Sequence, residues 1–249
     1  MTPSPNVTHT LDAVPWLTGE QMIEVDRAMV EDYGIKLIQM MEHAGRHLAH
    51  LARERFLAGQ ARGHTVVVLA GRGGNGGGAL VCARRLAAWG ASVRVLVTAE
   101  AAHFEGVPRH QLQILTHMGL EVLHEGAPPR EAPDLIIDGI IGYSLRGAPR
   151  GRAAELIRWA NQSPAPVLAL DVPSGLDSTT GEATETVIRA AATMTLALPK
   201  VGLRAGMEAG LVGELYLADI SVPPQLYRAP SLGVVVPDLF DRSDLVRLL

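Results

Sequence analysis

The stretch VVVLAGRGGNGGGALVCARRLAAW, residues 66–89, decides how the chain is read. Val66 to Ala70 are all apolar, which predicts a strand buried on both faces, as in a parallel sheet covered by helices. Six glycines then fall within residues 71–78, and an Ala-, Leu- and Arg-rich run predicts a helix directly after them. A turn without side chains lets backbone N–H groups approach a bound anion, and the N-terminus of the following helix adds partial positive charge. Phosphate or pyrophosphate is the expected occupant. The letters GRGGNG also satisfy G-x-G-x-x-G in a strand–turn–helix setting, a pattern shared by dinucleotide, S-adenosylmethionine and flavin sites and by plain tight turns. The next strand ends Leu96-Val97-Thr98-Ala99-Glu100, where Glu100 comes late for the ribose contact of a dehydrogenase.

Outward from this stretch, strands and helices alternate. Residues 1–16 are polar and Pro-containing and predict a flexible N-terminal arm; residues 17–249 are read as one domain without linker or repeat. Thr18 and Gln21 fit a capping box, which starts a helix running to about Asp32. After Gly34 a second helix carries Leu37, Met41, Ala44, Leu48, Leu51 and Ala52 on one stripe. Two helices therefore precede the first strand. Further strands are expected at residues 92–98, 120–123, 134–141, 166–171, 193–198 and 213–219, with an edge strand at 232–236 and helices over 104–118 and 151–162. This rhythm implies an α/β fold: a single-domain three-layer α/β/α Rossmann-like sandwich, with a mostly parallel sheet and right-handed crossovers.

Composition excludes several classes. A net charge of −4, with no Lys/Arg run longer than two residues, argues against a general nucleic-acid or anionic-membrane surface. No apolar stretch reaches the roughly eighteen residues of a membrane span, and the first sixteen residues lack the basic and apolar regions of a signal peptide. A cytoplasmic protein is expected. The single cysteine, Cys82, excludes an intramolecular disulfide and reads as helix packing. His43, His47 and His50 fall within about 60° of one another on the second helix. They flank its apolar stripe without a fourth ligand, so a solvated or hydrogen-bonded rim is expected rather than a metal site.

In such sheets ligands bind beyond the carboxyl ends of the strands, where strand order reverses. Three strand ends here converge chemically: the glycine turn, Asp138-Gly139, and Asp171-Val172-Pro173-Ser174-Gly175. A strand-end aspartate can also cap the next helix. The loop that follows Asp138 carries Ser144 and Arg146, the latter suited to a phosphate. Lys200, one of only two lysines, closes another strand and is a candidate for charge work among these carboxylates.

GRGGNGGGALVCARRL, DGIIGYSLRG, LALDVPSGLDSTTGE and LALPKVGL, with the helical TGEQMIEVDRAMVEDYGIKLIQMMEHAGRHLA before them, resemble the successive motifs of the YjeF N-terminal domain family over roughly residues 17–220. Its enzymes are NAD(P)H-hydrate epimerases, which interconvert the R and S forms at C6 of the hydrated nicotinamide ring. The resemblance implies a dinucleotide substrate and a potassium ion held by Asn75, Asp138 and Ser174, and oxygen ligands of this kind suit a hard cation. It implies substrate contacts from Gly74, Asn75, Gly76, Gly77 and Gly78, from Gly142, Tyr143, Ser144, Leu145, Arg146, Gly147 and Ala148, and from Asp171. Asp171 is the expected acid/base and Lys200 its electrostatic aid. Gly74 and Gly78 stand where the family commonly has Asn and Asp, and His43 where it has Asn in its M-E-N-A-G motif. An alternative therefore stays open: an impaired nucleotide-binding or scaffold member of the same fold. A homodimer is a further expectation, as is pairing with a separate dehydratase, the domain to which the epimerase is fused in some bacteria.

Overall fold

A computed structural model describes residues 7–249. In chain order its elements are β1 (Thr8–His9), α1 (Gly19–Glu31), α2 (Leu37–Leu51), β2 (Thr65–Ala70), α3 (Gly74–Ala88), β3 (Ser92–Val97), α4 (Gly106–His117) and β4 (Glu121–Leu123). They continue with β5 (Leu135–Gly139), α5 (Gly151–Gln162), β6 (Val167–Leu170), β7 (Ala192–Leu196), α6 (Gly202–Glu208), β8 (Glu214–Ala218), α7 (Pro224–Tyr227) and β9 (Leu245–Leu248). One sheet runs β1-β9-β8-β7-β6-β5-β2-β3-β4, parallel throughout except for the β8–β9 pair. The chain lays β3 and β4 on one side of β2 and then returns to put β5 on the other. Strand order thus reverses between β2 and β5, which places the glycine turn and Asp138 at the switch point.

Alternation along β2 splits the core. Val66 and Val68 pack with Leu48, Leu80, Leu86 and Leu115 under α2, α3 and α4, whereas Val67 and Leu69 pack with Leu156, Ile157 and Ala160 of α5. Both sets are buried because successive side chains point to opposite faces of a strand. A third cluster joins Met22, Val25 and Met29 of α1 to Leu215 and Leu217 of β8. The Thr18–Gln21 capping box forms as expected, with reciprocal bonds of 2.9 and 3.2 Å. Where α2 crosses α3, a Cβ on Gly45 would lie 2.4 Å from the Val81 Cβ and 2.5 Å from the Gly78 carbonyl oxygen, so only glycine permits this approach. Glu42 then ties the layer together, accepting from Arg84 of α3 at 2.6 Å and from Gln111 of α4 at 3.1 Å.

Three expectations need correction. The described part of residues 1–16 is no loose arm: Thr8–His9 pairs in parallel with β9, Val14 is buried, and Trp16 donates to the Leu11 carbonyl. Residues 1–6 lie outside the described residues. Residues 232–236 form no strand; Leu232, Val234 and Val236 pack half-buried on the α1 cluster, and β9 takes the place beside β8. The three histidines are no uniform rim either. His50 meets Trp89 edge-on at 5.1 Å, while His47 is only 6% exposed and stacks on His43.

Burial pushes the pKa of His47 down to about 4, with Asp244 opposing and His43, Arg46 and His50 adding to the shift. The unfolded chain then binds more protons between the folded value and the ordinary one of 6.5. Stability is complete above that window and falls as pH drops through it, by up to roughly 3 kcal/mol. Denaturant unfolding at pH 7 and pH 4.5 should show a smaller pH-dependent loss for His47→Gln than for the parent. Equal losses would refute it.

Candidate active site

β2 ends in a turn that closes on its neighbour, with the Gly71 N–H donating to the Gly139 carbonyl at 3.1 Å. A Cβ on Gly71 would lie 2.0 Å from the Ile140 carbonyl oxygen, and one on Gly76 would lie 1.7 Å from that of Gly71. Side chains are excluded there by backbone, and the turn stays tight. Helix α3 begins at Gly74, and its N-cap, Gly73, offers no side-chain cap. The first backbone N–H groups of α3 therefore have no partner within the helix and face outward.

They face a cleft of about 600 Å³, which the turn and the loop over residues 140–150 line. Arg72, Arg146 and Arg150 contribute to its walls and no acidic residue does. Leu145, Gly147 and Ala148 line it as well. Gly74, Asn75, Gly142 and Ser144 line this cleft and also a deeper cavity of about 130 Å³. Gly78, Tyr143, Asp171 and Lys200 belong to the deeper one, together with Met40, Met41 and Ile220. Gly76 and Gly77 line neither: Gly76 packs on the Gly71 backbone and Gly77 on Met41.

Asp171 follows β6 with a φ of +68°, a left-handed conformation that turns the chain sharply after Leu170. Its Oδ1 receives the Lys200 ammonium at 2.5 Å and its Oδ2 the Tyr143 backbone N–H at 3.1 Å. Lys200 is fully buried and also donates to the Leu196 carbonyl at 2.8 Å. It is covered because Leu17, just before α1, bridges it in parallel, exchanging backbone bonds with Pro199 and Val201.

Asp138 and Ser174 meet below this floor and line neither cavity. Asp138 accepts from the Ser174 hydroxyl at 2.7 Å, the Ser174 N–H at 2.9 Å and the Ile140 N–H at 3.2 Å. Among the described residues it has no basic partner, and complete burial pushes its pKa up to about 6 against the pull of these bonds. Asn75 abuts the same strand end, its carbonyl oxygen 3.3 Å from where a Cβ on Gly139 would sit, and its buried Nδ2 has no hydrogen-bond partner.

One polar residue was invisible in the sequence. Asp26 of α1 lines the deep cavity and accepts from the Tyr143 hydroxyl at 2.5 Å, across 117 residues. The capping box announces the helix, but no local signal says which of its faces meets the loop after β5.

A family model described as YjeF-related protein N-terminus matches residues 37–202. The chain belongs to the YjeF N-terminal family. A member from Dehalogenimonas lykanthroporepellens, named NAD(P)H-hydrate epimerase, is 42% identical over 88% of this chain and 87% of its own. One of the same name from Truepera radiovictrix is 40% identical over 78% and 84%. A bifunctional NAD(P)H-hydrate repair enzyme from Moorella thermoacetica is 36% identical over 84% of this chain, which matches 41% of that longer protein. The crystal structure of the yeast protein ynu0 shares the fold, with a TM-score of 0.78 over 94% of this chain at 23% identity.

Gly74 and Gly78 both line the deep cavity. A Cβ on Gly74 would meet only the Met41 Cε, at 3.9 Å, and one on Gly78 would press on Leu170 Cδ2 at 2.9 Å. Neither is required by the turn, unlike Gly71 and Gly76.

Proposed function

We propose that this chain epimerises hydrated NADH or NADPH at C6 of the nicotinamide ring, acting as an isomerase in nicotinamide nucleotide repair. One observation carries the reading: a buried Asp171–Lys200 pair sits at the end of a small cavity that opens into an acid-free, arginine-walled cleft at a glycine turn. The cleft suits the pyrophosphate, through the α3 N-terminus and Arg72 or Arg146. The cavity, walled by Met40, Met41 and Ile220, suits the flat ring. Inverting a carbon that bears a hydroxyl requires a proton moved to or from oxygen or nitrogen, and Asp171 is held beside the ring to move it. Lys200 holds it in place through the 2.5 Å ion pair.

Gly74 and Gly78, where the resemblance would put an amide and a carboxylate, leave Asp171 and Lys200 in this cavity and Asp138 outside it, so activity is expected to persist. Mixed R and S hydrates supplied to a stereospecific dehydratase test it. With this chain present, the epimer that the dehydratase rejects should be consumed well above its spontaneous rate. Equal rates with and without the chain would refute the reading. A separate dehydratase as functional partner, a homodimer and a cytoplasmic location belong to the same proposal; among the described residues no helix is long and apolar enough to cross a membrane.

The proposal includes a potassium ion at Asn75, Asp138 and Ser174. In support, Asp138 is a buried carboxylate with no basic partner among the described residues, and the half-buried Asn75 at the same strand end carries an amide oxygen able to ligate a hard cation. A bound monovalent cation would supply the missing charge at Asp138. Replacing potassium by tetramethylammonium at constant ionic strength and pH 7.5 should lower the melting temperature by about 3 °C or more, and should leave Asp138→Asn unaffected. An unchanged parent would eliminate the site.

A further inference from the structure

Tyr143 stands between two carboxylates: its backbone N–H donates to Asp171 Oδ2 at 3.1 Å and its hydroxyl to Asp26 Oδ2 at 2.5 Å. Both carboxylates and Lys200 line the same cavity, but their surroundings differ. Asp171 has the Lys200 ammonium against it. Asp26 has no ion-pair partner among the described residues, because its neighbour Arg27 turns away to Glu24, Glu31 and Asp32. We propose that Asp26 is the proton donor to the C6 oxygen of the substrate and Asp171 the proton acceptor, an assignment that rests on the epimerase reading above.

Burial raises the pKa of Asp26, against the pull of the Tyr143 hydrogen bond and the Lys200 charge, and the Asp171 charge raises it further. Tyr227 of α7 also lies within reach of its charge. Of two carboxylates on one cavity, the one paired with an ammonium and the one without a cation are suited to the base and acid roles respectively. Tyr143 occupies Asp26 Oδ2, which leaves Oδ1 to carry the proton.

That proton passes to the C6 oxygen as the C6–O bond breaks; the oxygen leaves as water and the ring-nitrogen lone pair forms the C6=N bond. Water then adds to the opposite face of C6, the C=N pair returns to nitrogen, and the surplus proton goes to Asp171. Transfer of one proton from Asp171 to Asp26 restores both groups. One water has left and one has entered, so atoms and charge balance.

The test is the pH profile of kcat/KM in the coupled dehydratase assay for the parent, Asp26→Asn and Tyr143→Phe, with NADP+-induced thermal stabilisation measured alongside. The parent should give a bell. Asp26→Asn should lose about 10²–10⁴-fold in rate and the alkaline limb, with NADP+ stabilisation retained. Tyr143→Phe removes a donor to the carboxylate, so the alkaline limb should move to higher pH. An active parent whose limb and rate survive Asp26→Asn overturns this inference alone. If Asp26→Asn does not fold, an unmoved limb in Tyr143→Phe overturns it. A parent with neither acceleration nor NADP+ stabilisation overturns the epimerase reading itself.

Discussion

Asp171→Asn lowers the rate at which mixed R and S hydrates are consumed with dehydratase by about 10²–10⁴-fold, the range that general acid–base help supplies. The amide has the carboxylate's shape, and its oxygen can still accept from the Tyr143 N–H that now bonds Oδ2 at 3.1 Å. What it loses is the capacity to take up a proton at neutral pH. The glycine turn and the arginine-walled cleft proposed to take the pyrophosphate are untouched, so the melting-temperature increment on adding NADP+ should persist. The absolute melting temperature should drop, because Lys200 is left as a buried ammonium without its counter-charge. A variant as fast as the parent would show that Asp171 is not the base.

The second large effect is on stability. Lys200 is fully buried at 2.5 Å from Asp171, itself 3% exposed. Removing one partner of such a pair leaves an uncompensated charge in a low-dielectric site, a loss of about 3–5 kcal/mol. Lys200→Met should therefore cost that much in urea unfolding, with the lost bond to the Leu196 carbonyl contributing. Asp171→Asn combined with Lys200→Met removes both charges and should be less destabilised than the two single variants summed. Additive costs, or a Lys200→Met loss below about 1 kcal/mol, would show that the pair is not coupled as its geometry implies.

Several features of this protein are written locally and were legible in its sequence. An all-apolar run from Val66 to Ala70 can only be comfortable in a doubly covered strand, and a glycine turn followed by an Ala/Leu-rich run forms β2, turn and α3. The Thr18–Gln21 box spans three residues and forms as read. Asp138 and Asp171 declare themselves as acids at strand ends, and the order of the motifs carries the family. Each of these signals is complete within a few neighbouring residues, because backbone hydrogen bonding and turn chemistry act at that range.

Tertiary structure alone decided the rest. Residues 232–236 alternate like a strand, yet β9 pairs with β8 instead, with Leu215 opposite Leu248. The described part of the segment read as a loose arm is held by β9 and the C-terminal residue Leu249. Gly76 and Gly77 share a motif with Gly74 and Asn75 but face the packing side of α3, since successive helical residues are rotated by about 100°. Asp26 reaches Tyr143 across 117 positions. Which helix face covers a site depends on how whole layers pack, and that is settled by the summed burial of many distant side chains rather than by any residue's neighbours in the chain.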